Sequence, residues 1–262
     1  MWYYGRSLFI SLLFVFSGLN ASAASIEDAR ATYDAAQLDA AYEQAFALGT
    51  QQGYLLGAEA LNAKLLLGEY SKPKKLAKRA MATAKMAFVQ TNPDMDAQLQ
   101  YAISYAFYGR HVSTLTALRK KIPQKIHAEI KKSLTLSENS TSRNRALTHA
   151  LLGGWHLSVV HKAGAKRARK MFDANLADGR KHFEIAIALE PDNILICSNY
   201  TLMRYILSPQ TEHEWAKKNL EQLLTFTAEN EVETRLQARM QTILDVFDTP
   251  KHAQKLAADF LN

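Results

Sequence analysis

Residues 183–193 read FEIAIALEPDN, an apolar helical segment that runs into a proline turn. Because the residue before a proline avoids the helical region of backbone space, the helix predicted over about 172–189 ends at Glu190. A second apolar segment begins directly after this turn and predicts another helix over about 194–207. Such a short connection is typical of two helices that pack against each other.

The same helical patterning extends over the rest of the chain. Only 11 Gly and 6 Pro interrupt 262 residues, and the β-branched runs typical of strands are missing. We therefore expect an all-α fold with a single helical domain over 24–262. The predicted helices cover about 26–48, 51–67, 74–90, 95–109, 143–161, 172–189, 194–207, 211–228, 231–247 and 250–261, with helical pieces broken at Pro123 over 111–136 and a loop at 137–142.

The opening stretch also carries a spacing pattern. Phe183 is followed by the small residue Ala186 and then by Pro191, and the small residue Gly179 lies before it. This pattern resembles the second helix and closing turn of a tetratricopeptide repeat (TPR). In that family, small residues let two helices approach closely and the aromatic residue fills the space toward the next repeat.

The preceding helix resembles the first helix of the same kind of repeat. Leu152-Gly153 matches the Leu-Gly of the family, and His149 and His156 stand where the family often has aromatic residues. An insertion over about 162–175 lengthens this repeat. We therefore expect its clearest copy over 143–193.

An earlier segment, 55–93, resembles a more degenerate copy of the repeat. Leu67-Gly68 precedes Ala80 at the family's spacing, and a proline turn follows at Pro93. A third pair, Tyr108-Gly109, resembles the Leu-Gly of the first helix of the repeat. The resemblance implies an irregular α-solenoid of TPR-like antiparallel helix pairs, and the alternative is an unrelated alanine-rich helical bundle.

The N-terminus predicts export. Arg6 precedes an apolar run over 7–17, and the small residues Ala21-Ser22-Ala23 follow. These are the three regions of a secretory signal peptide, so we expect residues 1–23 to be removed and the protein to be periplasmic. The alternative is a membrane anchor, but a spanning helix needs roughly 20 apolar residues. Since no cysteine lies near the cleavage site, we expect no lipid anchor and no stable membrane anchor.

The charge and the cysteine content limit the classes of partner. The net charge is +7, which would indicate nucleic acid in a cytosolic protein. Export makes nucleic acid an unexpected partner and leaves anionic lipid, cell-wall polymer or an acidic ligand. The single cysteine, Cys197, lies in an apolar segment and is interpreted as a buried small residue.

No sequence motif indicates catalysis. None of the eight histidines forms the His-x-x-x-His pair that places two metal ligands on one helix face. Nucleophile-elbow, phosphate-loop and dinucleotide motifs are also missing. We therefore expect no metal, no cofactor and no catalytic residue, and we interpret the chain as a binding protein.

The candidate binding residues are aromatic or basic. Tyr101, Tyr105 and Tyr108 recur at steps of four and three, so they share one helix face. First helices line the concave groove in TPR proteins, and the resemblance implies that this stripe grips an extended peptide; the alternative is that the stripe is core. Neighbouring first helices would add His149, Trp155, His156, Tyr200 and Arg204.

A basic segment is the second candidate surface. Lys166, Arg167, Arg169 and Lys170 predict either a solvated helix face or a contact with an anionic partner. Another basic stretch extends from Arg119 to Lys132. The contact becomes the favoured interpretation if the two stretches converge in the fold.

Together, these features predict a periplasmic, non-catalytic helical-repeat scaffold that binds a protein or a peptide. The alternative is a small-ligand-binding accessory protein of a periplasmic transport system. Export, length and irregular helical repeats also make the chain similar to the TPR-like T component associated with TRAP transporters.

Overall fold

A computed structural model describes residues 25–89, 94–138 and 140–261. The expected signal peptide, 1–23, and the turn at Asn92-Pro93 lie outside the described residues. Within the described part the fold is all-α, as predicted. Its helices are α1 (Ile26–Asp34), α2 (Leu38–Ala47), α3 (Gln51–Leu67), α4 (Pro73–Val89), α5 (Met95–Arg110), α6 (Thr114–Arg119), α7 (Ile122–Ser137), α8 (Ser142–Ala163), α9 (Ala165–Phe172), α10 (Leu176–Leu189), α11 (Ile194–Leu207), α12 (Pro209–Leu223), α13 (Glu231–Leu244) and α14 (Pro250–Leu261).

Side-chain caps begin most of these helices. An oxygen-bearing side chain before the first turn accepts a hydrogen bond from a free backbone N–H, which would otherwise lack a partner. Ser25 and Asp28 form a reciprocal capping box at the start of α1. The other caps of this kind are Thr50, Asp94, Ser113, Thr141, Asn175, Asn193 and Asn230.

The structure corrects the prediction of one helix over 26–48. Two helices, α1 and α2, meet there at Ala36, whose φ is +51°. The backbone N–H of Gln37 donates to the Thr32 carbonyl at 3.1 Å and closes the end of α1. The left-handed conformation usually falls to glycine, so an alanine in this position gave the sequence no stop signal.

The predicted insertion at 162–175 contains a helix of its own. It contains α9, which buries Ala168 and Phe172 and exposes its basic residues. Gly164, with φ +75°, separates α8 from α9. The inserted residues therefore form an amphipathic helix that packs on α8.

The contacts between helices define two rows. The first row is α3, α5, α8 and α11, in which each helix contacts the next one directly. The second row is α4, α7, α10 and α12, whose members pack on the first-row helices beside them: α4 on α3 and α5, α7 on α5 and α8, α10 on α8 and α11, and α12 on α11. A first-row helix such as α5 or α8 thus has a second-row helix on each side.

Glycines allow the closest of these contacts, between α8 and α10. A Cβ atom on Gly153 would lie 2.7 Å from Cδ2 of Phe183 and 2.8 Å from the carbonyl oxygen of Gly179. A Cβ atom on Gly179 would lie 2.5 Å from Cδ2 of Leu157. The close approach predicted from Gly153, Gly179 and Phe183 is therefore present.

The last two helices connect the end of the chain to its beginning. Helix α13 packs on α1, α3 and α11, and α14 packs on α11. Arg239 of α13 donates to the Leu66 carbonyl at 2.6 Å, and Arg235 forms an ion pair with Glu69 at 2.9 Å. One buried apolar cluster accordingly contains residues from Ala29 to Leu261. Among the described helices, none combines the length and hydrophobicity needed to cross a membrane.

Candidate functional site

The tyrosine stripe lies in a seam between two second-row helices, α4 and α7, with α5 as its floor. Ring centroids of Tyr101 and Tyr105 are 6.1 Å apart, and those of Tyr105 and Tyr108 are 6.2 Å apart. Phe88 of α4 extends the row with an edge contact to Tyr101 at 6.1 Å. All four rings are half-buried. We call this surface the tyrosine seam.

The polar groups of the tyrosine seam remain available. Among the described residues, the hydroxyls of Tyr101, Tyr105 and Tyr108 have no hydrogen-bond partner, and none of them is a buried unsatisfied atom. They are therefore open to solvent. The ammonium of Lys78 lies 5.9 Å from the Tyr108 ring centroid.

Burial and nearby charge shape the electrostatics of this seam. Burial, followed by the Glu129 carboxylate, raises the pKa of Tyr101, while Lys132 opposes the effect. Burial, followed by the two neighbouring tyrosines, raises the pKa of Tyr105. Both rings therefore stay protonated at neutral pH and keep a hydroxyl that can donate as well as accept.

A second seam lies between α7 and α10, with α8 as its floor. His127 of α7 stacks on Trp155 at 4.0 Å between centroids, with 8° between the ring planes. The Trp155 indole N–H donates to the Pro123 carbonyl at 3.0 Å. His156 lies 6.0 Å from His127.

The α10 side of this seam is closed by further ring contacts. His149 and His182 stack at 5.1 Å, and their Nδ1 atoms are 2.9 Å apart. His156 stacks on His182 at 6.1 Å and accepts a hydrogen bond from the Asn175 backbone N–H at 3.3 Å. We call the set His127, His149, Trp155, His156 and His182 the histidine seam.

These histidines are neutral at neutral pH. Burial lowers the pKa of His127 to about 4, with a smaller contribution from Lys131. Burial also lowers the pKa of His149, His156 and His182, and the His149 and His182 rings each face another histidine that disfavours a charge. One Nδ1–H of the His149–His182 pair therefore donates to the other ring, which must be unprotonated there.

The histidine seam does not assemble a metal centre. Within residues 25–89, 94–138 and 140–261, no group of three or more His, Cys, Asp or Glu side chains could hold a metal ion. The two ring nitrogens that lie closest already bond to each other. The half-buried Cys197 is not an activated nucleophile, because burial raises the pKa of its thiol to about 11.

Tyr200 and Arg204 belong to a third contact, between α10, α11 and α12. Tyr200 stacks on Phe183 at 4.9 Å. The Arg204 guanidinium lies 3.7 Å from the Trp215 ring centroid and 2.6 Å from the buried carboxylate of Glu212, which also binds Arg180 at 3.1 Å. These side chains bind the helices to one another.

The structure thus divides the predicted groove residues into three groups and gives them a common orientation. Nearly all of these side chains contact second-row helices, and Tyr105 lies between two that do. Those with a second-row contact are Tyr101, Tyr108, His149, Trp155, His156, Tyr200 and Arg204. The resemblance to TPR proteins instead implied a concave face formed by first helices. Aromatic rings on α5, α8 and α11 contact rings of the second-row helices beside them.

Two members of the histidine seam were missed from the sequence. His127 and His182 come from α7 and α10, on either side of the floor helix, and no motif links them to His149 and His156. The only available signal was that His182 directly precedes Phe183 of the repeat pattern. The predicted basic residues Lys166, Arg167, Arg169 and Lys170 lie outside both seams and are exposed on α9.

In comparisons with known proteins, no family model matches this chain, and no curated protein matches it significantly in sequence. The assignment of a function therefore depends on the contacts within the molecule itself.

Proposed function

We propose that this protein is an exported, non-catalytic scaffold that binds a protein or peptide segment in the tyrosine seam. It is a periplasmic α-solenoid of irregular TPR-like helix pairs. The N-terminal pattern of Arg6, an apolar run and Ala21-Ser22-Ala23 supports export. The two rows of helices and the glycine contact between α8 and α10 support the repeat-like architecture.

The observation that carries this proposal is the open row of tyrosine rings. Tyrosine offers a large, rigid apolar surface at a low cost in conformational entropy, together with one polar group that can bond a peptide backbone. In the tyrosine seam the rings are partly covered by α4 and α7, so little further ordering is needed on binding. The hydroxyls are solvent-accessible and have no partner among the described residues.

The charges beside the rings fit a peptide rather than an apolar ligand. Lys78 supplies positive charge at the α4 wall, and Lys132 and Glu129 form an ion pair at 3.0 Å on the α7 wall. A peptide backbone presents both donors and acceptors, which such a mixed surface can satisfy. The histidine seam lacks this capacity because its rings already bond and stack with one another.

Capture from periplasmic extract tests this function. The wild-type chain is immobilised beside a Tyr105→Ala/Tyr108→Ala variant, and bound proteins are identified by mass spectrometry. Tyr54→Ala is the matched control, because Tyr54 is a half-buried tyrosine of α3 that contacts Phe46 and lies outside the seam. We expect one partner that wild type and Tyr54→Ala retain and the double variant loses.

Two outcomes would contradict the proposal. Equal capture by all three chains would show that the seam is not the binding surface. Capture of no protein by the wild type, with a small molecule that co-purifies, would instead support an accessory protein that carries a small ligand for a transport system.

A further inference from the structure

The first observation is that three basic segments meet at one end of the first row. The Tyr70 ring, just beyond α3, contacts the His111 ring at the end of α5 at 5.6 Å. Helix α8 contacts α5, and burial, Arg110 and then Lys162 at the end of α8 lower the pKa of His111. Helices α4, α6 and α9 begin within a few residues of these ends.

Each of the three segments exposes positive charge without a neutralising partner. The residues concerned are exposed and form no ion pair with the described part of the chain. The sequence has no Asp or Glu between Glu69 and Asp94, between Asp96 and Glu129, or between Glu138 and Asp173. We call the following set the basic end: Lys72, Lys74, Lys75, Lys78, Arg119, Lys120, Lys121, Lys125, Lys166, Arg167, Arg169 and Lys170.

The Arg119–Lys125 part of the second basic stretch and the basic stretch of α9 lie against one apolar cluster. Ala117 of α6, Ile122 of α7 and Phe172 of α9 all belong to one apolar cluster. The short helices α6 and α9 lie on this cluster and turn their remaining side chains to solvent. At the start of α4, Lys72, Lys74, Lys75 and Lys78 line an open depression.

Large apolar side chains are exposed among these charges. Leu115 is 78% exposed and Leu118 is 45% exposed, and both lie on α6 at a spacing that places them on one face. Met171 on α9 is 53% exposed. Met86 is the remaining large hydrophobic residue exposed in the described part of the chain, so three of these four residues lie at the basic end.

We propose that the basic end binds the surface of an anionic phospholipid membrane, with Leu115, Leu118 and Met171 inserted between the headgroups. Helices that combine basic residues with exposed apolar side chains lie in the membrane interface in this way. Each Lys or Arg near an anionic surface strengthens binding. A soluble polyanion would satisfy the charges but would leave the leucines in water, so a lipid surface accounts for both features.

The basic end shares Lys78 with the tyrosine seam, but the proposal does not depend on that residue or on the seam. Peripheral attachment would hold the scaffold at a membrane while the seam between α4 and α7 stays open to a partner. The binding experiment therefore uses variants outside the seam, and its outcome is separate from that of protein capture.

Vesicle co-sedimentation of the exported and processed chain tests the proposal, with vesicles of pure phosphatidylglycerol and of pure phosphatidylcholine. We expect strong binding to phosphatidylglycerol and little to phosphatidylcholine. Lys166→Gln/Arg167→Gln should weaken binding about fivefold for each lost charge. The matched control is Lys85→Gln/Lys131→Gln, which removes two exposed charges from the distant parts of α4 and α7 and should bind like the wild type.

The apolar contribution is tested separately. Leu115→Ser/Leu118→Ser should weaken binding to phosphatidylglycerol about tenfold for each leucine, because each side chain leaves water on insertion. Met86→Ser, which removes an apolar side chain 38% exposed elsewhere on α4, is its control. All four variants alter exposed residues, and equal thermal unfolding curves verify that they fold.

The results decide between the alternatives. Equal binding to both lipids, or equal losses in the control variants, would overturn the proposal. If the leucine variant binds as well as the wild type while the charge variant does not, the contact is purely electrostatic. A soluble polyanion would then be the better partner, and the membrane assignment would be wrong.

Discussion

The tyrosine seam and the histidine seam occupy equivalent places in the fold and differ in how they are filled. Each has a first-row helix as its floor and two second-row helices as its walls. In the histidine seam the rings stack on and bond to both walls. In the tyrosine seam they contact each other and leave their hydroxyls open.

This difference separates a seam that holds helices together from the seam that we propose binds a partner. In the histidine seam, the α10 wall lies close to the α8 floor. Gly153 and Gly179 let α10 approach α8 so closely that the histidine rings between these two helices pack against each other. Polar rings that bond across a gap stabilise the fold, whereas rings with unused hydroxyls can bind a partner.

The largest effect is expected from Trp155, which joins α7 to α8. Its side chain is 7% exposed, stacks on His127 and donates to the Pro123 carbonyl. Trp155→Ala should lower the free energy of unfolding by about 3–5 kcal/mol, measured by urea denaturation. Trp155→Phe keeps a stacking ring and should lose much less; equal losses would show that stacking does not matter.

Gly153 tests this close approach itself. Its added Cβ would lie 2.8 Å from the backbone oxygen of Gly179, which cannot move aside as a flexible side chain can. Gly153→Ala should therefore cost about 1–3 kcal/mol of stability. Gly154→Ala is the neighbouring control, since its nearest atom is Cζ of Phe183 at 3.8 Å, and it should be neutral or gain up to about 1 kcal/mol from helix propensity. Equal effects of the two substitutions would remove the explanation for the closed seam.

Acid should weaken the histidine seam. The folded-state pKa of each of its histidines is lowered below the unfolded value, so the unfolded chain binds more protons and stability falls as pH decreases. The loss begins near the ordinary histidine pKa of about 6.5 and continues toward the His127 pKa of about 4. Chemical denaturation across this range should give a shallower pH dependence for His127→Phe than for wild type. His252→Phe, which alters an exposed histidine outside the seam, serves as the control, and identical slopes in all three would contradict the assignment.

The smallest effect on stability is expected in the tyrosine seam. Tyr105 is half-buried, and its hydroxyl has no partner among the described residues. Tyr105→Ala should cost about 1 kcal/mol, because only part of the ring leaves water on folding. If Tyr105→Ala lowered the free energy of unfolding as much as Trp155→Ala, the tyrosines would be core residues. Both seams would then stabilise the fold.

The sequence was sufficient for the helical class and for several local contacts. Proline and cap residues set most helix ends, and the small residues at 153 and 179 predicted a close crossing. It could not show the break at Ala36, because the left-handed turn there uses no glycine. Helical spacing also showed that the three tyrosines share a face, but not which helices that face contacts.

The histidine seam could not be predicted from local sequence patterns either. His127, His156 and His182 are separated along the chain and meet only because α7 and α10 flank α8. The packing of α6, α7 and α9 on one apolar cluster is likewise a property of the fold. Periodicity describes one helix at a time, whereas these surfaces are built from several.

Site-specific photo-crosslinking in living cells tests the central claim most directly. A benzophenone-bearing amino acid replaces Tyr105 in the tyrosine seam and, in a parallel chain, replaces the exposed Lys181 of α10. The account predicts a discrete protein adduct on irradiation at position 105 and none at 181. No adduct at 105, or the same adducts at both positions, would contradict the claim that the tyrosine seam binds the partner.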